Sequence, residues 1–378
     1  MIPPFTFATA GQIRFGRGTA FEGAAAAVLA FGDTVALVHG ATAARARWLI
    51  DALRGAGAEV QTIACPGEPT LAALETARTA LRADPPEVVV ALGGGAVIDL
   101  AKALAALMPS ARPALDHLEV VGKGLPLDTA PLPCVALPTT AGTGAEVTRN
   151  AVIGLPDQGV KVSLRDPRMY PDIAIVDPSL MHDAPKPVVL AAGLDAVTQV
   201  IEPYVCTRAN PITDAIARAA IPAGLKALKA VVEGGTADDW DAMAWTSLAG
   251  GLALANAGLG AVHGLAGVIG GVTGAAHGAI CGALLVPVLK ANRATTSPGS
   301  AARARLDWVA AEIARVFGDT DGLARWARSH GLQPLTALGV TAALRPEIAA
   351  KAQAASSMAA NPVQLSDAAL IEIMAAAG

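Results

Sequence analysis

The residues best suited to chemistry in this chain are two histidines and one carboxylate set among apolar neighbours. His263 and His277 lie in one glycine-rich stretch, and Asp195 lies upstream in an apolar helical pattern. Two neutral imidazoles and a carboxylate are a suitable ligand set for Zn²⁺ or Fe²⁺. A carboxylate buried among apolar side chains needs a partner, and a metal ion is one. The pattern therefore indicates a divalent metal site that would polarise a bound oxygen.

Each of these side chains also has a purely structural interpretation. A single histidine among apolar residues is often a hydrogen-bonded core residue, and Asp195 could cap a helix or pair with an arginine. Gln199 follows Asp195 by four residues, so the two share one helix face. The amide oxygen of Gln199 is therefore a further candidate ligand, and the metal set stays open at this point.

A glycine-rich turn gives a second chemical signal, for binding an anion. Gly93, Gly94 and Gly95 follow a continuous apolar run and open a helical pattern. Glycines let backbone N–H groups approach a phosphate closely, and the helix N-terminus adds a favourable dipole. Asp99 lies in the first turn, where its carboxylate suits the dipole or a ribose hydroxyl. The alternative is a tight turn that requires positive φ angles.

A second polar loop, residues 138–144, follows another apolar run. Its hydroxyls and glycines suit recognition of phosphate and amide groups, whereas the structural alternative is a capping box from Thr143 to Glu146. Two such loops at neighbouring strand ends mark a ligand crevice. The usual dinucleotide fingerprint is missing from the sequence, since no G-x-G-x-x-G follows the first strand and His39 stands where an acidic residue is expected.

A parallel sheet is needed to position these loops. Short apolar strands alternate with helical patterns in the first half of the chain, which predicts an α/β domain with a parallel, Rossmann-like sheet at residues 1–180. Strand signals then vanish, and helical patterns predict an all-α domain at residues 181–378. A short hairpin is also predicted from residues 5–7 and 13–15.

The individual elements follow from the same patterns. The predicted strands are 34–38, 60–65, 87–92, 134–137 and 173–176. The predicted helices include 41–55, 71–83, 97–108, 188–205, 212–232 and 238–257.

Composition limits the class of protein. The net charge is only -4 and no basic run occurs, so a nucleic-acid partner is not expected. Four cysteines form no CxxC pair, which suits buried thiols in a reducing compartment. The N-terminus lacks the pattern of a signal peptide, and the apolar stretches around residues 251–271 are interpreted as core helices rather than membrane spans. We therefore expect a cytoplasmic protein with a small-molecule substrate.

Taken together, these segments resemble the iron-containing (group III) alcohol dehydrogenase family, within the dehydroquinate synthase-like superfamily. The resemblance covers nearly the whole chain and rests on several ordered motifs at the expected intervals. They are IRFG at 13–16, ALGGGAVID at 91–99, LPTTAGTGAE at 137–146, VDP at 176–178, GLDA at 193–196, the stretch 263–277 and NP at 361–362.

The resemblance implies a nucleotide-binding α/β domain followed by a helical domain, with metal and substrate in the cleft between them. It implies NAD or NADP as cofactor and one divalent metal, Fe²⁺ or Zn²⁺, held by Asp195, His263 and His277. Gln199 stands at the position of a fourth, histidine ligand. Cofactor contacts are implied for Gly94, Gly95, Ala96, Asp99, Thr139, Thr140, Thr143, Lys161 and Leu180. The alternative for Lys161 is a solvated lysine before a helix, and we expect a homodimer.

Two departures from the family pattern bear on function. Gln199 replaces a histidine ligand, and Gly267 stands where many members carry a histidine near the nicotinamide. We predict a metal-dependent, NAD(P)-linked oxidoreductase that interconverts an alcohol and an aldehyde or ketone by hydride transfer. Asp195, His263 and His277 act through the metal. The alternatives are a metal-independent reductase of the maleylacetate type, a lyase of the dehydroquinate synthase kind, and a non-catalytic nucleotide-binding protein.

Overall fold

The computed structural model describes Ile2 and residues 4–378. Its contacts divide the chain into two compact units. The first, called here the N-terminal unit, comprises Thr9–Thr140 and Gly144–Asp183. The second, the C-terminal unit, comprises Ala184–Gly378 together with Ala141–Thr143 and the residues before Thr9.

The N-terminal unit is built on a parallel sheet, as predicted. The strands of this unit are β1 (Gln12–Phe15), β2 (Thr34–His39), β3 (Glu59–Ala64), β4 (Val88–Gly93), β5 (Cys134–Pro138), β6 (Asn150–Leu155), β7 (Val160–Arg165) and β8 (Ile173–Val176). Six of them form one sheet in the order β1-β8-β5-β4-β2-β3, and every pairing in it is parallel. The α/β fold class is therefore confirmed.

Helices cover both faces of this sheet. They are α1 (Thr19–Leu29), α2 (Arg47–Gly55), α3 (Leu71–Ala80) and α4 (Gly95–Leu107). Alternate residues of β4 enter different cores: Val89 and Ala91 pack with α3 and α4, whereas Val88 and Val90 pack with α1 and α2. Because successive side chains point to opposite faces, a strand covered on both sides must be apolar throughout. This explains the uninterrupted apolar run that leads to the glycine turn.

Two local predictions for this unit were wrong or incomplete. The N-terminal hairpin does not form; β1 instead pairs in parallel with β8, with Gln12 opposite Ile173. The pairing partner of β1 is the edge of β8, which lies far along the chain. The sequence around β1 therefore gives no sign of this pairing. An antiparallel hairpin, β6–β7, was not predicted, and Gly159 adopts a φ of 63° in its connection. Lys161 consequently lies on a strand and not before a helix.

The C-terminal unit is helical. Its helices are α5 (Lys186–Val205), α6 (Pro211–Val232), α7 (Ala237–Asn256), α8 (Ala261–Thr273), α9 (His277–Thr295), α10 (Ala301–Phe317), α11 (Gly322–Ser329), α12 (Arg345–Gln353) and α13 (Asp367–Ala376). The predicted α5, α6 and α7 agree with the observed ends to within two residues. Helix α5 packs against α6, α7 and α9, and so forms the centre of the unit.

The apolar character of α5 follows from this central position. By length and composition α5 could cross a membrane, as could the pair α7–α8, which is bent by 98°. However, 83% of the apolar window in α5 is buried inside the protein. Packing against neighbouring helices therefore accounts for its apolar residues.

Candidate metal centre and nucleotide-binding loops

Four side chains of the C-terminal unit bring their donor atoms together at one point. Asp195 comes from α5, His263 from α8, and His277 and Cys281 from α9; their donor atoms all lie within 4.8 Å of one another. The Nε2 atoms of His263 and His277 lie 3.5 Å and 3.8 Å from Oδ1 of Asp195. The three residues predicted from the sequence thus meet, and Cys281 joins them without having been predicted.

Close helix packing brings these side chains together. Gly278 follows His277 at the start of α9 and lies directly against α5. A Cβ atom at Gly278 would lie 2.2 Å from the carbonyl oxygen of Ala191 and 3.3 Å from Cβ of Asp195. Only glycine allows so close an approach of the two backbones. Gly278 is therefore required both for the site and for the packing of α9 against α5.

Asp195 is a buried carboxylate with an unsatisfied oxygen. The residue is 2% exposed, and its Oδ1 has no hydrogen-bond partner. Burial alone would raise the pKa of Asp195, but His277 and His263 lower it. Desolvation would lower the pKa of His277, yet Cys281 and Asp195 outweigh it and raise the pKa to about 9. The pocket therefore favours positive charge, and the donor set fits a divalent cation.

Glu202 fixes the orientation of His263. Its Oε2 accepts a hydrogen bond from Nδ1 of His263 at 2.6 Å, and its Oε1 accepts the N–H of Val262 at 2.7 Å. The carboxylate thus binds both the imidazole and the first turn of α8, where the helix dipole favours negative charge. This arrangement directs Nε2 of His263 towards Asp195, as a carboxylate behind a metal-binding histidine commonly does. This role of Glu202 was not predicted, although the residue follows Asp195 by two helical turns on the same apolar helix.

Gln199 is buried on α5 one turn after Asp195. Its amide nitrogen donates a hydrogen bond to the carbonyl oxygen of Gly142 at 3.2 Å, within the same unit. That contact gives the side chain a structural role in holding the second polar loop. Its participation as a weak metal ligand stays a prediction.

The first glycine turn joins a strand to a helix as predicted. β4 ends at Gly93 and α4 begins at Gly95, with Gly94 in extended conformation between them. The interpretation of a turn with positive φ is wrong, because none of the three glycines adopts one. Space favours glycine instead: a Cβ at Gly93 would overlap the side chain of Val97 at 2.5 Å, and one at Gly94 would make a tight contact of 3.3 Å with Oγ1 of Thr140. The two polar loops therefore meet within the N-terminal unit.

Thr139 and Asp99 are two further predicted cofactor residues that lie around the same sheet edge. Thr139 is buried, and its N–H donates to the carbonyl oxygen of Gly93 at 2.9 Å. Asp99 accepts a hydrogen bond from the N–H of Val152 at 3.0 Å and lies 3.6 Å from the buried Nζ of Lys102. Burial raises the pKa of Asp99 and lowers that of Lys102, although each group opposes the shift of the other.

Other predicted contacts have different surroundings. Lys161 on β7 forms an ion pair with Glu68, and Leu180 ends a 3-10 turn that packs against the sheet. Ala96 lies in the first turn of α4. The alternative of a capping box from Thr143 is wrong, because the three-residue 3-10 turn begins at Ala145 and its N-cap residue is Gly144. The left-handed φ of 60° at Gly144 redirects the chain before a longer helix can begin.

Known proteins resemble this chain in sequence and in fold. The family model for iron-containing alcohol dehydrogenases matches residues 10–178, and that for the C-terminal part of the same family matches residues 189–378. Alcohol dehydrogenase 4 of Schizosaccharomyces pombe is 37% identical over 206 residues, which are 54% of this chain and 48% of that protein. The chain spans about half the length of the curated relatives that it matches, between 48% and 58%.

Solved structures agree along the full chain. An iron-containing alcohol dehydrogenase from Thermococcus thioreducens superimposes with a TM-score of 0.86 at 27% identity, covering 98% of this chain and 99% of that one. The sulfoacetaldehyde reductase of Bifidobacterium kashiwanohense, in complex with NAD⁺, gives a TM-score of 0.84 at 27% identity over 99% and 98% of the two chains.

Proposed function

The chain belongs to the iron-containing alcohol dehydrogenase family, and from this premise we propose that it is a metal-dependent, NAD(P)-linked oxidoreductase that interconverts an alcohol and an aldehyde or ketone. One observation carries the proposal: the buried Oδ1 of Asp195 has no hydrogen-bond partner and faces two imidazoles. An isolated charge in such a place is costly, and a cation removes the cost. The activities named for the relatives support the reaction class.

Different residues of the chain have different roles in this proposed function. Asp195, His263 and His277 hold the metal, and Glu202 keeps His263 in the orientation that it needs. A divalent ion held by these residues would supply Lewis-acid polarisation of the alcohol or carbonyl oxygen. The helix N-terminus at Gly94 and Gly95 would direct backbone N–H groups to a cofactor phosphate. A nicotinamide bound beside them would supply or accept the hydride, and the residues of the chain would provide its orientation.

Metal analysis combined with one substitution tests this function. Purified protein should contain close to one divalent metal ion per chain, Fe²⁺ or Zn²⁺. His277→Ala should remove most of the metal and nearly all NAD(P)H-linked activity on a panel of aldehydes and keto acids. Exposed His182 on the N-terminal unit offers a matched control, since His182→Ala should change neither. Full activity in a metal-free preparation would instead support the maleylacetate-type reductase that Gln199 and Gly267 suggest.

We propose that both NADH and NADPH are used. His39 ends β2 and is held by a hydrogen bond from its ring to the carbonyl oxygen of Gly40 at 2.8 Å. A carboxylate at a strand end of this kind would bind the ribose and repel a 2′-phosphate, and here it is replaced by an imidazole. The ratio of kcat/KM for the two cofactors should stay below about tenfold, or ~1.4 kcal/mol. A preference for NADH above about a hundredfold would contradict this, and His39→Asp should create such a preference.

We further propose that the protein acts in the cytoplasm as a homodimer, on a small molecule and without nucleic-acid or membrane partners. All four cysteines are buried free thiols, which suits a reducing compartment. Size-exclusion chromatography with light scattering tests the dimer, and a monomer at working concentration would contradict it.

A further inference from the structure

Cys281 lies one helical turn after His277 on α9, with its side chain facing the metal ligands. It is fully buried, and its Sγ lies 3.5 Å from Nε2 of His277 and 3.9 Å from Nε2 of His263. The same two Nε2 atoms lie 3.8 Å and 3.5 Å from Oδ1 of Asp195. Ligand atoms at usual zinc bond lengths are separated by about 3.3–3.8 Å in a tetrahedral site. Three of the four measured separations fall within this range, and the fourth, 3.9 Å from Sγ of Cys281 to Nε2 of His263, lies just above it.

A second, independent observation points to the same position. The Asp195 side chain is 3% exposed, and its Oδ1 is aimed into the cluster without a hydrogen-bond partner. The sulfur thus shares its pocket with an unsatisfied carboxylate oxygen and two imidazole nitrogens. A shared metal ion would explain why these four donor atoms meet in one buried pocket.

The other cysteines have ordinary surroundings. Cys206 and Cys65 direct their thiols to backbone carbonyl oxygens, of Pro203 at 3.3 Å and of Gly67 at 3.1 Å. Cys134 lies inside the apolar core of the sheet. Burial raises the pKa of Cys65 to about 11 and that of Cys134 to about 12, as for thiols that stay protonated. The position of Cys281 is therefore not a general property of buried thiols in this chain.

We propose that Cys281 is the fourth protein ligand of the metal centre, which becomes an Asp195–His263–His277–Cys281 site, to which the substrate oxygen would add as a fifth ligand. This rests on the proposed function, because it assumes that a metal is held there. The thiol would lose its proton to solvent on binding, since the thiolate is the ligand. Cys281 would supply from α9 the ligand that Gln199 on α5 does not.

The ligand set has a consequence for metal preference. Thiolate sulfur favours Zn²⁺ and Co²⁺ over ions that prefer oxygen ligands, and a tetrahedral site with mixed nitrogen, oxygen and sulfur ligands is typical of zinc. We therefore expect the purified protein to retain zinc in preference to iron.

Cobalt substitution tests the ligand directly. The full-length protein is stripped of metal and loaded with Co²⁺ alone, and its absorption spectrum is recorded together with the bound cobalt per chain. The wild type should show an intense thiolate-to-cobalt charge-transfer band in the near ultraviolet. Cys281→Ser and Cys281→Ala should lose the band, whereas Cys206→Ser, a buried cysteine of the same unit, should keep it. Zinc affinity of the Cys281 variants should fall by more than the roughly 10–100-fold typical of an outer-shell partner.

The outcomes separate the two proposals. Wild-type protein that binds one cobalt ion per chain without the band would overturn the role of Cys281 and leave the metal-dependent function standing. Failure of the folded wild type to bind cobalt or zinc would overturn both. The wild-type spectrum decides the ligand question even if a Cys281 variant does not fold.

Discussion

The carboxylate of Glu202 shows how one side chain can connect a ligand to the backbone that carries it. It accepts hydrogen bonds from the imidazole of His263 and from the backbone N–H of Val262. Loss of one of these contacts would leave a buried group unpaired, which costs about 1–3 kcal/mol. The orientation of His263 therefore depends on a residue outside the group of candidate metal ligands.

We predict that Glu202→Gln lowers zinc affinity by roughly 10–100-fold. The amide cannot accept equally well from both the imidazole and the backbone, so the ring loses its fixed orientation. Competition with a chromophoric chelator measures the affinity. Glu233→Gln is the matched control, since Glu233 lies on the surface of the same unit and accepts a hydrogen bond from Trp326. Wild-type affinity in folded Glu202→Gln protein would show that the helix alone holds His263 in place.

At the scale of elements, the site depends on how closely α9 approaches α5. Gly278 permits that approach, because any Cβ there would overlap the carbonyl group of Ala191. Gly267 on α8 is the opposite case, since a Cβ at that position would meet nothing within 4 Å. The two glycines lie on adjacent helices but carry different constraints.

We predict that Gly278→Ala weakens metal binding and destabilises the protein, because α9 must move away from Asp195. Gly267→Ala should leave zinc affinity unchanged and add up to about 1 kcal/mol of stability, since alanine favours helix. Isothermal titration with zinc and urea unfolding of both variants measure the two effects. If Gly278→Ala bound zinc as tightly as the wild type does, α9 would have adjusted without displacing His277 and Cys281.

The buried Glu146, in the 3-10 turn after the second polar loop, makes stability depend on pH. Burial raises its pKa to about 7 from 4.5, against the opposing effect of Lys102. Below pH 4.5 the carboxyl is neutral in both the folded and the unfolded chain, so it adds no pH dependence. Between these two pH values Glu146 is ionised in the unfolded chain but still neutral in the folded protein. The free energy of unfolding therefore falls as pH rises. Above about pH 7 Glu146 is ionised in both states, and the loss of stability that it causes no longer changes with pH.

We predict that Glu146→Gln removes the loss of folding stability that ionisation of Glu146 causes. The variant should gain stability over the wild type as pH rises from 4.5 to about 7, up to a difference on the order of 3 kcal/mol. Urea unfolding at a series of pH values measures the difference. A difference that is independent of pH would show that Glu146 is already ionised throughout.

Elements with a strong local pattern could be predicted, whereas pairings between distant segments could not. The strand at Ile173–Val176 and the strand–glycine–helix turn at Gly93 follow from apolar runs and glycines, and both are observed. The partner of β1 lies far along the chain. In the hairpin β6–β7, apolar and polar residues alternate along β7, but β6 has no such alternation. The same distinction holds in the site: Asp195, His263 and His277 stand out by type and spacing. Cys281 and Glu202 acquire their roles only through the packing of α5, α8 and α9.

On the scale of the whole molecule, the metal ligands belong to three helices that are separated along the chain. These donors converge only when the C-terminal unit is folded. A ligand that binds only the folded state stabilises it by mass action. Metal binding and folding of this unit should therefore be coupled.

We predict that zinc raises the thermal stability of the metal-free protein. At a free concentration 100 times the dissociation constant, the gain should be about 2.7 kcal/mol. Differential scanning calorimetry with and without zinc measures it, and Asp195→Asn should abolish the response. If two transitions occur, only that of the C-terminal unit should shift. A zinc-independent melting temperature in the wild type would contradict the coupling.

The pairing of β1 with β8 also has a consequence for how the protein is made. When β1 leaves the ribosome, the strand that completes its pairing has still to be translated, roughly 160 residues later. At about 5–20 residues per second this delay lasts roughly 8–30 s. During that interval the nascent chain carries an unpaired edge strand, which is a surface prone to association. The newly synthesised chain should therefore depend on chaperones bound near its N-terminus until the last strand of the sheet emerges.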